Sequence, residues 1–381
     1  MRIDFFSGKR GGFGAMLPLI QELMSPRFAA DTRMIVTDQH LDPKFGATVS
    51  EVKKYGLNII ECPLPDTLSD SSFDRVVALS HLLPQLSTYW SQITPDLVFL
   101  YGDRSETLLA ASAATIMNIP IAHLQGGDRS GSVDDTMRHA ITKLSSLHYV
   151  SCEDSAKRVE LLGEDRENII LVGDSHVDAI FKTKKLSKAQ TQEKIGLKGV
   201  RRYCVLLQHP ETTQTAASKH QITETLEALA SFDIDVIAIY PCSDPGYREI
   251  IESIEVGRSR GVIRSSFKNL EFEDFLNLCR YSEFLIGNSS SGIIESAYLD
   301  IPVINIGRRQ INRVDGGNVI HVPHDRIQIS KAIKTLLSVP QRRAIVGKTR
   351  RIYGDGNSYK KVAEDLLTRN LSKLLPKHTT Y

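Results

Sequence analysis

A polar turn whose residues suit anion binding lies between two apolar runs in the last third of the chain. The turn, Gly287 to Glu295, contains three consecutive serines and follows the apolar run 284–286. Small residues let a ligand approach the backbone, and free N–H groups at the positive end of a helix favour an anion. Glu295 can accept hydrogen bonds from sugar hydroxyls, and Arg309, after the next apolar run, can bind a phosphate. The stretch therefore suggests a nucleotide diphosphate site, although an ordinary Ser/Gly N-cap turn explains it equally well.

Carboxylates follow two apolar runs of the first half of the chain. Asp103 comes directly after one run and is either the N-cap of the next helix or an acid–base group at the floor of a cleft. Asp134 and Asp135 precede Arg138 and His139 by four residues, a spacing that predicts salt bridges along a helix. One of these two carboxylates can make such a bridge while the other faces a substrate.

Two histidines and a glycine-rich loop are further candidates for contact with an anion. His209 follows an apolar run, where it can bind a phosphate, transfer a proton or serve only as a structural residue. His40 occupies a similar position after an earlier run. The loop 8–14 places four glycines around Arg10, which either a tight strand-to-helix turn or an anion site explains.

The bulk composition limits the class of protein. The 381 residues suit two domains rather than one core. Hydrophobic and charged fractions of 41% and 24% are those of a globular protein, and a net charge of +2 gives no reason to expect nucleic acid or a membrane as partner. The sequence has no apolar run of 18 residues and no signal-peptide pattern, and its five cysteines lack metal-ligand spacing. We therefore expect reduced thiols and a cytoplasmic location.

Short apolar runs alternate with amphipathic segments of helical period along the whole chain. This alternation predicts an α/β protein with parallel sheets and helices on both faces. The expected strands are 3–6, 34–37, 57–60, 97–101, 119–124, 148–151, 169–172, 203–207, 236–240, 261–263, 284–286, 303–306 and 319–321. The expected helices include 15–24, 73–90, 107–117 and a C-terminal one from 358.

The polar segment 174–197 is the expected junction between an N-terminal domain, 1–175, and a C-terminal domain, 176–357. Ligands of open α/β sheets bind beyond the carboxyl ends of the strands, so two such sets of loops predict an interdomain cleft. The sequence lacks a Walker A loop, a Rossmann fingerprint, a GxSxG elbow and an HExxH motif. The residues alone thus predict a two-domain α/β enzyme that binds a nucleotide-like anion and uses Asp/His acid–base chemistry.

A long stretch of the first half resembles the signature of a known family. Residues 123–144, HLQGGDRSGSVDDTMRHAITKL, resemble the hydrolysing UDP-N-acetylglucosamine 2-epimerases of sialic-acid and legionaminic-acid pathways. Other segments that resemble this family are 102–104, 287–295, 302–311 and 318–322. The resemblance implies a GT-B fold, in which two Rossmann-like domains face an interdomain cleft and the C-terminal helix, about 358–381, packs back on the first domain. It also implies a UDP-sugar substrate and no metal or nicotinamide cofactor, and we expect a homodimer.

Family enzymes eliminate UDP across C1–C2 of the sugar to give a glycal, and water then adds to release the 2-epimer. By this resemblance Asp103 and Asp134 perform acid–base chemistry on the sugar, with His209 as a further catalytic candidate. Binding roles are implied for Ser289, Ser290, Arg309 and His209 at the diphosphate, Glu295 at the ribose, Arg10 near the phosphates, and Arg104 and His40 in positioning substrate.

Several residues depart from the family pattern on the sugar side. Gln125 stands where the family usually has a carboxylate, and an amide can orient a group but cannot titrate. Gly12-Phe13 replaces Asp-Tyr, Gly14 replaces Ser and Cys242 replaces Asn. Because the residues of the UDP side are mostly kept, we expect UDP with a different sugar, such as a 2,4-diacetamido-2,4,6-trideoxy hexose. Asp128 is a candidate to replace the missing carboxylate.

Three other functions remain open. A non-hydrolysing 2-epimerase would return the glycal to UDP, and a GT-B glycosyltransferase would require an acceptor. A catalytically inactive UDP-sugar-binding protein would explain Gln125.

Overall fold

Two parallel β-sheets organise the chain in the computed structural model, which describes residues 1–380. Each sheet forms the centre of one compact unit. The first unit contains residues 1–129, 133–182 and the segment from 353 onward, and the second contains residues 130–132 and 183–352.

The first unit has seven strands in the order β3-β2-β1-β4-β5-β6-β7, and every neighbouring pair is parallel. The strands are β1 (Arg2–Ser7), β2 (Asp31–Thr37), β3 (Asn58–Cys62), β4 (Leu97–Tyr101), β5 (Ile121–Leu124), β6 (Leu147–Val150) and β7 (Ile169–Leu171). The helices are α1 (Arg10–Leu23), α2 (Val49–Lys53), α3 (Ser72–Ser80), α4 (Leu82–Gln92), α5 (Ser105–Ile116), α6 (Asp134–Leu144), α7 (Glu153–Leu161), α8 (Ser175–Lys182) and the C-terminal helix, α16 (Ser358–Thr368). The central strands are buried along their whole apolar runs because helices cover both faces of the sheet.

The second unit repeats this architecture with six parallel strands in the order β10-β9-β8-β11-β12-β13. Its strands are β8 (Tyr203–Leu207), β9 (Asp235–Ile239), β10 (Ser265–Phe267), β11 (Leu285–Gly287), β12 (Val303–Ile306) and β13 (Val319–Val322). Its helices are α9 (Lys188–Lys194), α10 (Ser218–Leu229), α11 (Tyr247–Ser259), α12 (Phe272–Arg280), α13 (Glu295–Tyr298), α14 (Arg326–Leu337) and α15 (Val339–Val346).

In both sheets the strand order reverses direction at one place, and this reversal is where open α/β sheets bind ligands. In the first sheet it lies between β1 and β4, and in the second it lies between β8 and β11. We call these places the first and second switch points. At the first switch point, the loops that follow the strands begin at Gly8 and Gly102. At the second switch point, they begin at Gln208 and Asn288.

The C-terminal helix belongs to the first unit because its beginning is capped there. Asp178 on α8 accepts hydrogen bonds from the backbone N–H groups of Ser358 (2.9 Å) and Tyr359 (2.8 Å), and from the Ser358 hydroxyl. A carboxylate at the first turn satisfies N–H groups that have no partner within the helix. The apolar face of α16 joins the core that α1 and the sheet form. The chain passes from the first unit to the second after Lys182 and returns before Tyr353, and residues 130–132 also belong to the second unit.

Twelve of the thirteen expected strands match strands of the structure within a few residues, and one expected strand is wrong. Residues 261–263 form the turn that follows α11, where Gly261 has a φ of +76° and the N–H groups of Val262 and Ile263 bond to Gly257 O. The strand comes later, at β10. The expected helix 73–90 is two helices, since Pro84 lacks an N–H and its ring would clash with the carbonyl of Ser80.

All five cysteines are free thiols. Within residues 1–380 no helix is both long enough and apolar enough to cross a membrane. The same residues contain no group of three or more His, Cys, Asp and Glu side chains that could hold a metal ion.

Candidate functional site

Asp103 lies at the first switch point, just beyond the end of β4, and its carboxylate pairs with the guanidinium of Arg138. Arg104, not Asp103, occupies the N-cap position of α5, so the N-cap interpretation of Asp103 is wrong. The Asp103 side chain keeps 17% of its surface exposed, while that of Arg138 is 1% exposed. The buried cation thus holds a carboxylate that solvent, or a ligand, can reach.

The guanidinium of Arg138 binds residues that follow two neighbouring strands of the first sheet. Arg138 points from the buried face of α6 toward the strand ends, where its Nη1 donates to the backbone oxygen of Gln125 (2.9 Å) and to Oε1 of the same residue (3.2 Å). Its Nη2 donates to the carboxylate of Asp103. Asp134 is the first residue of α6 and is buried. Arg138 therefore links α6 to the residues that follow β4 and β5.

Gln125 follows β5 with a φ of +66° and is buried. Its Nε2 donates to Oδ2 of Asp174 (2.6 Å), which lies on the loop before α8. Asp128, the candidate to replace the family carboxylate, is buried in the first unit. One oxygen of Asp128 accepts from the hydroxyls of Ser151 and Ser155, both at 2.5 Å, at the start of α7.

His40 is a structural residue of the first unit rather than a group that faces a ligand. The ring is fully buried, with Nε2 3.0 Å from Oγ of Ser7 and Nδ1 2.8 Å from Oγ1 of Thr48. Burial lowers the pKa of His40 to about 4, so the ring is neutral near pH 7. Its role is to hold Ser7 at the end of β1, next to the loop that leads to Arg10. Arg10 itself is the first residue of α1 and is half-buried.

Arg104 belongs to a buried cluster of charges that the sequence did not suggest. Its Nε lies 3.4 Å from Oε1 of Glu106, and Arg75 binds both Glu106 (2.9 Å) and the two oxygens of Asp38 (3.0 and 2.9 Å). Burial alone would raise the pKa of Glu106, but Arg104 and Arg75 outweigh it and keep that pKa below its ordinary value. Gly8 touches this cluster, since a Cβ there would lie 2.5 Å from the Glu106 carboxylate. The cluster stiffens the loops after β1, β2 and β4.

At the second switch point the side chain of Asn288 joins two loops. Its Oδ1 accepts from the His209 backbone N–H (2.7 Å) and its Nδ2 donates to the His209 carbonyl (2.9 Å). The amide continues the pairing of β8 with β11 by one residue beyond the strands. The His209 ring then lies with Nδ1 accepting from the Cys242 backbone N–H (3.2 Å). With Nδ1 used in this way, Nε2 is the nitrogen that can donate to a ligand.

The serine turn begins with Gly287, whose φ is +133° and where a Cβ would lie 2.1 Å from Leu207 O, so only glycine fits. Ser290 opens a short 3₁₀ turn, Ser290–Gly292, for which Ser289 is the N-cap. Helix α13 follows and has only four residues, so its macrodipole contributes little to the binding of an anion at this turn.

Glu295 is the first residue of α13. Its Oε1 accepts from the Ser291 hydroxyl (2.9 Å). Its Oε2 is buried and has no hydrogen-bond partner among residues 1–380. A buried carboxylate oxygen without a partner carries a free-energy cost, which a hydroxyl donor from a ligand would remove.

Arg309 is buried beyond the end of β12, and its Nη1 donates to the Asn288 backbone oxygen (3.2 Å). The preceding Gly307 has a φ of +78° and leaves room for Glu211, to which the backbone N–H of Arg308 donates at 2.6 Å. Asn288 and Glu211 were missed by the sequence reasoning. Asn288 comes directly after β11, and Glu211 comes shortly after β8. The rule that ligand-binding residues follow the carboxyl ends of strands, which located His209, could therefore have found them.

The two units, each with a parallel sheet whose strand order reverses at a switch point, define the class of protein as a GT-B-like two-domain α/β protein. A family model described as UDP-N-acetylglucosamine 2-epimerase matches residues 24–367, and the chain belongs to this family. The predicted fold class and the family resemblance are thereby confirmed.

Among curated proteins, the chain is similar to the hydrolysing UDP-N,N'-diacetylbacillosamine 2-epimerase of Legionella pneumophila. The two are 33% identical over 381 residues, which is 100% of this chain and 99% of the relative. The chain is also 30% identical to the UDP-N-acetylglucosamine 2-epimerase of Neisseria meningitidis, over 89% of this chain and 88% of the relative.

Among solved structures, the crystal structure of UDP-GlcNAc 2-epimerase from Neisseria meningitidis bound to UDP-GlcNAc superposes with a TM-score of 0.79 at 19% identity. The superposition covers 97% of this chain and 100% of that one. At this level of identity the likeness establishes the fold.

Proposed function

We propose that the protein is a hydrolysing 2-epimerase that converts a UDP-2-acetamido sugar and water into UDP and the free 2-epimer. The observation that carries the proposal is the pair at the first switch point, where a partly exposed Asp103 carboxylate is held by the buried Arg138. A positioned base of this kind is what removal of a weakly acidic C–H proton needs. The name of the full-length Legionella relative supports the hydrolysing form of the reaction.

The first proposed step is an elimination. A carboxylate base removes the proton from C2, the C1–C2 double bond forms, and the C1–O bond to UDP breaks so that UDP leaves with the electron pair. The second step is hydration of this glycal: water adds its hydroxyl to C1 and gives up a proton to a carboxylate, and a carboxylic acid donates a proton to C2 on the face opposite to the one that lost it. Asp103 and Asp134 are the proposed acid–base pair for these proton transfers.

The second unit is proposed to bind UDP and to stabilise the leaving diphosphate. The His209 ring, the Arg309 guanidinium and the Ser289 and Ser290 groups offer donors at the second switch point, and Arg10 is the proposed cation from the first unit. Fixed cations and N–H groups stabilise charge that develops on a leaving group. Glu295, with its unpartnered Oε2, is the proposed acceptor for the ribose hydroxyls. Arg104 is a proposed positioning residue, through its contact with Glu106.

The proposed sugar is a 2,4-diacetamido-2,4,6-trideoxy hexose, which gives the matching trideoxymannose, and UDP-N-acetylglucosamine, which gives N-acetylmannosamine, is the competing substrate. Gly12, Gln125 and Cys242 differ from the family pattern on the sugar side. The Legionella relative, similar over its whole length, is named for a diacetamido sugar, and the Neisseria relative is named for N-acetylglucosamine. This substrate would place the enzyme in a legionaminic-acid type of pathway rather than a sialic-acid one.

Release of free UDP from a small panel of UDP- and GDP-sugars tests the function directly. We expect UDP and the free 2-epimer in equal amounts, with solvent deuterium at C2. Epimerised UDP-sugar without free UDP would mean a non-hydrolysing epimerase, and dependence on an acceptor would mean a glycosyltransferase. Absence of deuterium at C2 with intact UDP binding would leave an inactive binding protein.

Asp103→Asn and Asp134→Asn separate the catalytic role from binding. Loss of an acid–base group lowers kcat by about 10²–10⁴-fold, and UDP affinity, measured by calorimetry, should be nearly unchanged. A fall in UDP affinity as large as the fall in turnover would contradict the assigned roles.

Glu295→Gln tests the ribose contact. The wild-type protein should bind UDP more tightly than 2′-deoxy-UDP, and the variant should lose most of this preference because the amide is a weaker acceptor. Equal affinities in the wild type would exclude a ribose 2′-hydroxyl contact. The homodimer and the cytoplasmic location also stay predictions, the first of which a molar-mass measurement in solution would test.

A further inference from the structure

The Gln125 side chain lies between an anion and a cation, and its two ends match them. The Nε2 atom donates to Asp174 Oδ2 at 2.6 Å, and Oε1 accepts from Arg138 Nη1 at 3.2 Å. The reverse orientation would put the amide oxygen against a carboxylate and the NH₂ group against a guanidinium. The hydrogen-bond network therefore permits a single orientation of the amide.

Asp174 is buried and accepts hydrogen bonds on both of its oxygens. While Oδ2 takes Gln125, Oδ1 accepts from the His176 backbone N–H (2.9 Å) and lies 3.1 Å from Nδ1 of the His176 ring. That ring in turn meets the Tyr101 hydroxyl (2.7 Å) at the end of β4, two residues before Asp103. Burial would raise the pKa of Asp174, but the hydrogen bonds and charge of His176 and the Gln125 amide outweigh it, so the pKa lies below its ordinary value and the group is ionised.

We propose that Asp174 is the carboxylate that this chain uses in place of the one absent at Gln125, and that it acts as a positioning residue. It sets the orientation of the Gln125 amide, the amide sets Arg138, and Arg138 holds Asp103. This inference rests on the proposed function, because Asp103 is the acid–base group of that proposal. The amide at position 125 is then one half of an amide–carboxylate pair rather than a loss of function.

A carboxylate is required at position 174 because both of its neighbours are donors. Asparagine has one acceptor oxygen, so Asp174→Asn would direct its NH₂ group at either the His176 N–H or the Gln125 amide. In the second case the amide turns over and presents NH₂ to Arg138. Gln125→Glu fails for the opposite reason, since two carboxylates 2.6 Å apart cannot both be ionised.

The double variant Gln125→Glu/Asp174→Asn restores a complete set of partners. The carboxylate introduced at position 125 would accept from Arg138 and from the new amide at position 174, whose oxygen would still accept from His176. The exchange puts the carboxylate back at the position where the family usually has it. If Asp174 only filled space, the double variant would not recover the activity lost in the single variants.

The experiment compares kcat and KM for UDP release, UDP affinity and thermal stability in the wild type, both single variants and the double variant. Since a displacement of about 1 Å near the chemistry can cost about 10²-fold, we expect kcat of Asp174→Asn to fall by about that factor, with UDP affinity retained. The double variant should recover to within about tenfold of the wild type.

The pH dependence of activity in Gln125→Glu is a second measurement, and loss of folded protein alone would not change it. The close carboxylate pair shares a proton below its raised pKa and repels above it. Activity of this variant should therefore be present at acidic pH and disappear as the pH rises through that pKa, a limb absent from the wild type and the double variant.

A folded double variant no more active than the single variants would overturn the inference, as would an Asp174→Asn variant with wild-type kcat. If Asp174→Asn does not fold, comparison of Gln125→Glu with the double variant still decides. If the wild type releases UDP and the double variant is not rescued, only this inference fails. If the wild type turns over no nucleotide sugar, the proposed function fails and the inference fails with it.

Discussion

Replacement of Asn288 by alanine should weaken UDP binding more than any other change that leaves the proposed contact groups in place. Asn288 is fully buried and binds both backbone groups of His209, at 2.7 and 2.9 Å. Its own carbonyl also accepts from Arg309. The side-chain amide thus fixes the backbone of one proposed diphosphate ligand, His209, while the backbone carbonyl of the same residue binds a second, Arg309.

The expected size of the effect follows from the two hydrogen bonds. Asn288→Ala leaves a buried N–H and a buried carbonyl of His209 without partners, and each such group costs about 1–3 kcal/mol. The free energy of unfolding of the second unit should fall by about 2–6 kcal/mol. Part of the lost order must be restored when UDP binds, so the dissociation constant should rise about tenfold or more, equivalent to about 1.4 kcal/mol.

Asn318→Ala is the matched control. Asn318 is also a fully buried asparagine of the second unit, and its Nδ2 donates to Ser296 Oγ (2.9 Å) and Ile301 O (2.6 Å). It precedes β13 and therefore lies at the amino ends of the strands, away from the second switch point. The control should lose a comparable amount of stability and keep the UDP affinity of the wild type.

Calorimetric titration with UDP and urea unfolding of both variants provide the comparison. If Asn288→Ala binds UDP as tightly as the wild type does, the amide has a structural role alone. An equal loss of UDP affinity in both variants would also contradict the prediction, since general destabilisation would explain the loss.

Three further changes test other parts of the structure. Gly287→Ala should prevent the second unit from folding, as judged by circular dichroism and solubility, because its Cβ would lie 2.1 Å from Leu207 O at a φ of +133°. Glu164, bound by His148, Lys143 and Lys377, has a pKa lowered to about 2, since these hydrogen bonds outweigh the effect of burial. The depressed pKa contributes stability above the ordinary pKa of 4.5 that is lost as the pH falls toward 2. At pH 7 the free energy of unfolding of Glu164→Gln should therefore be lower than that of the wild type by about 3 kcal/mol. The variant should also lose this dependence on acid pH, and an unchanged urea unfolding curve would contradict the prediction. Asp128→Asn should retain most of its turnover, unlike Asp174→Asn, and an equal loss would mean that the carboxylate is assigned to the wrong residue.

Secondary structure and the ligand-binding ends of the sheets could be predicted from the sequence because they depend on local pattern. Apolar runs of four or five residues bounded by glycine and polar residues located β4, β8 and β12 with their observed limits. The error at 261–263 arose where a glycine with positive φ ends α11 and folds the apolar residues Val262 and Ile263 back against that helix. An apolar run by itself does not distinguish a strand from such a helix ending.

The α/β class, the family and the set of polar residues that follow the strands could all be derived from the amino-acid sequence. Which of these residues meet could be learned only from the folded chain. Arg138 pairs with Asp103, 35 residues away, and Gln125 meets Asp174 across 49 residues. Such pairs depend on which strands are neighbours and on which side chains are buried between them, and no local spacing contains that information.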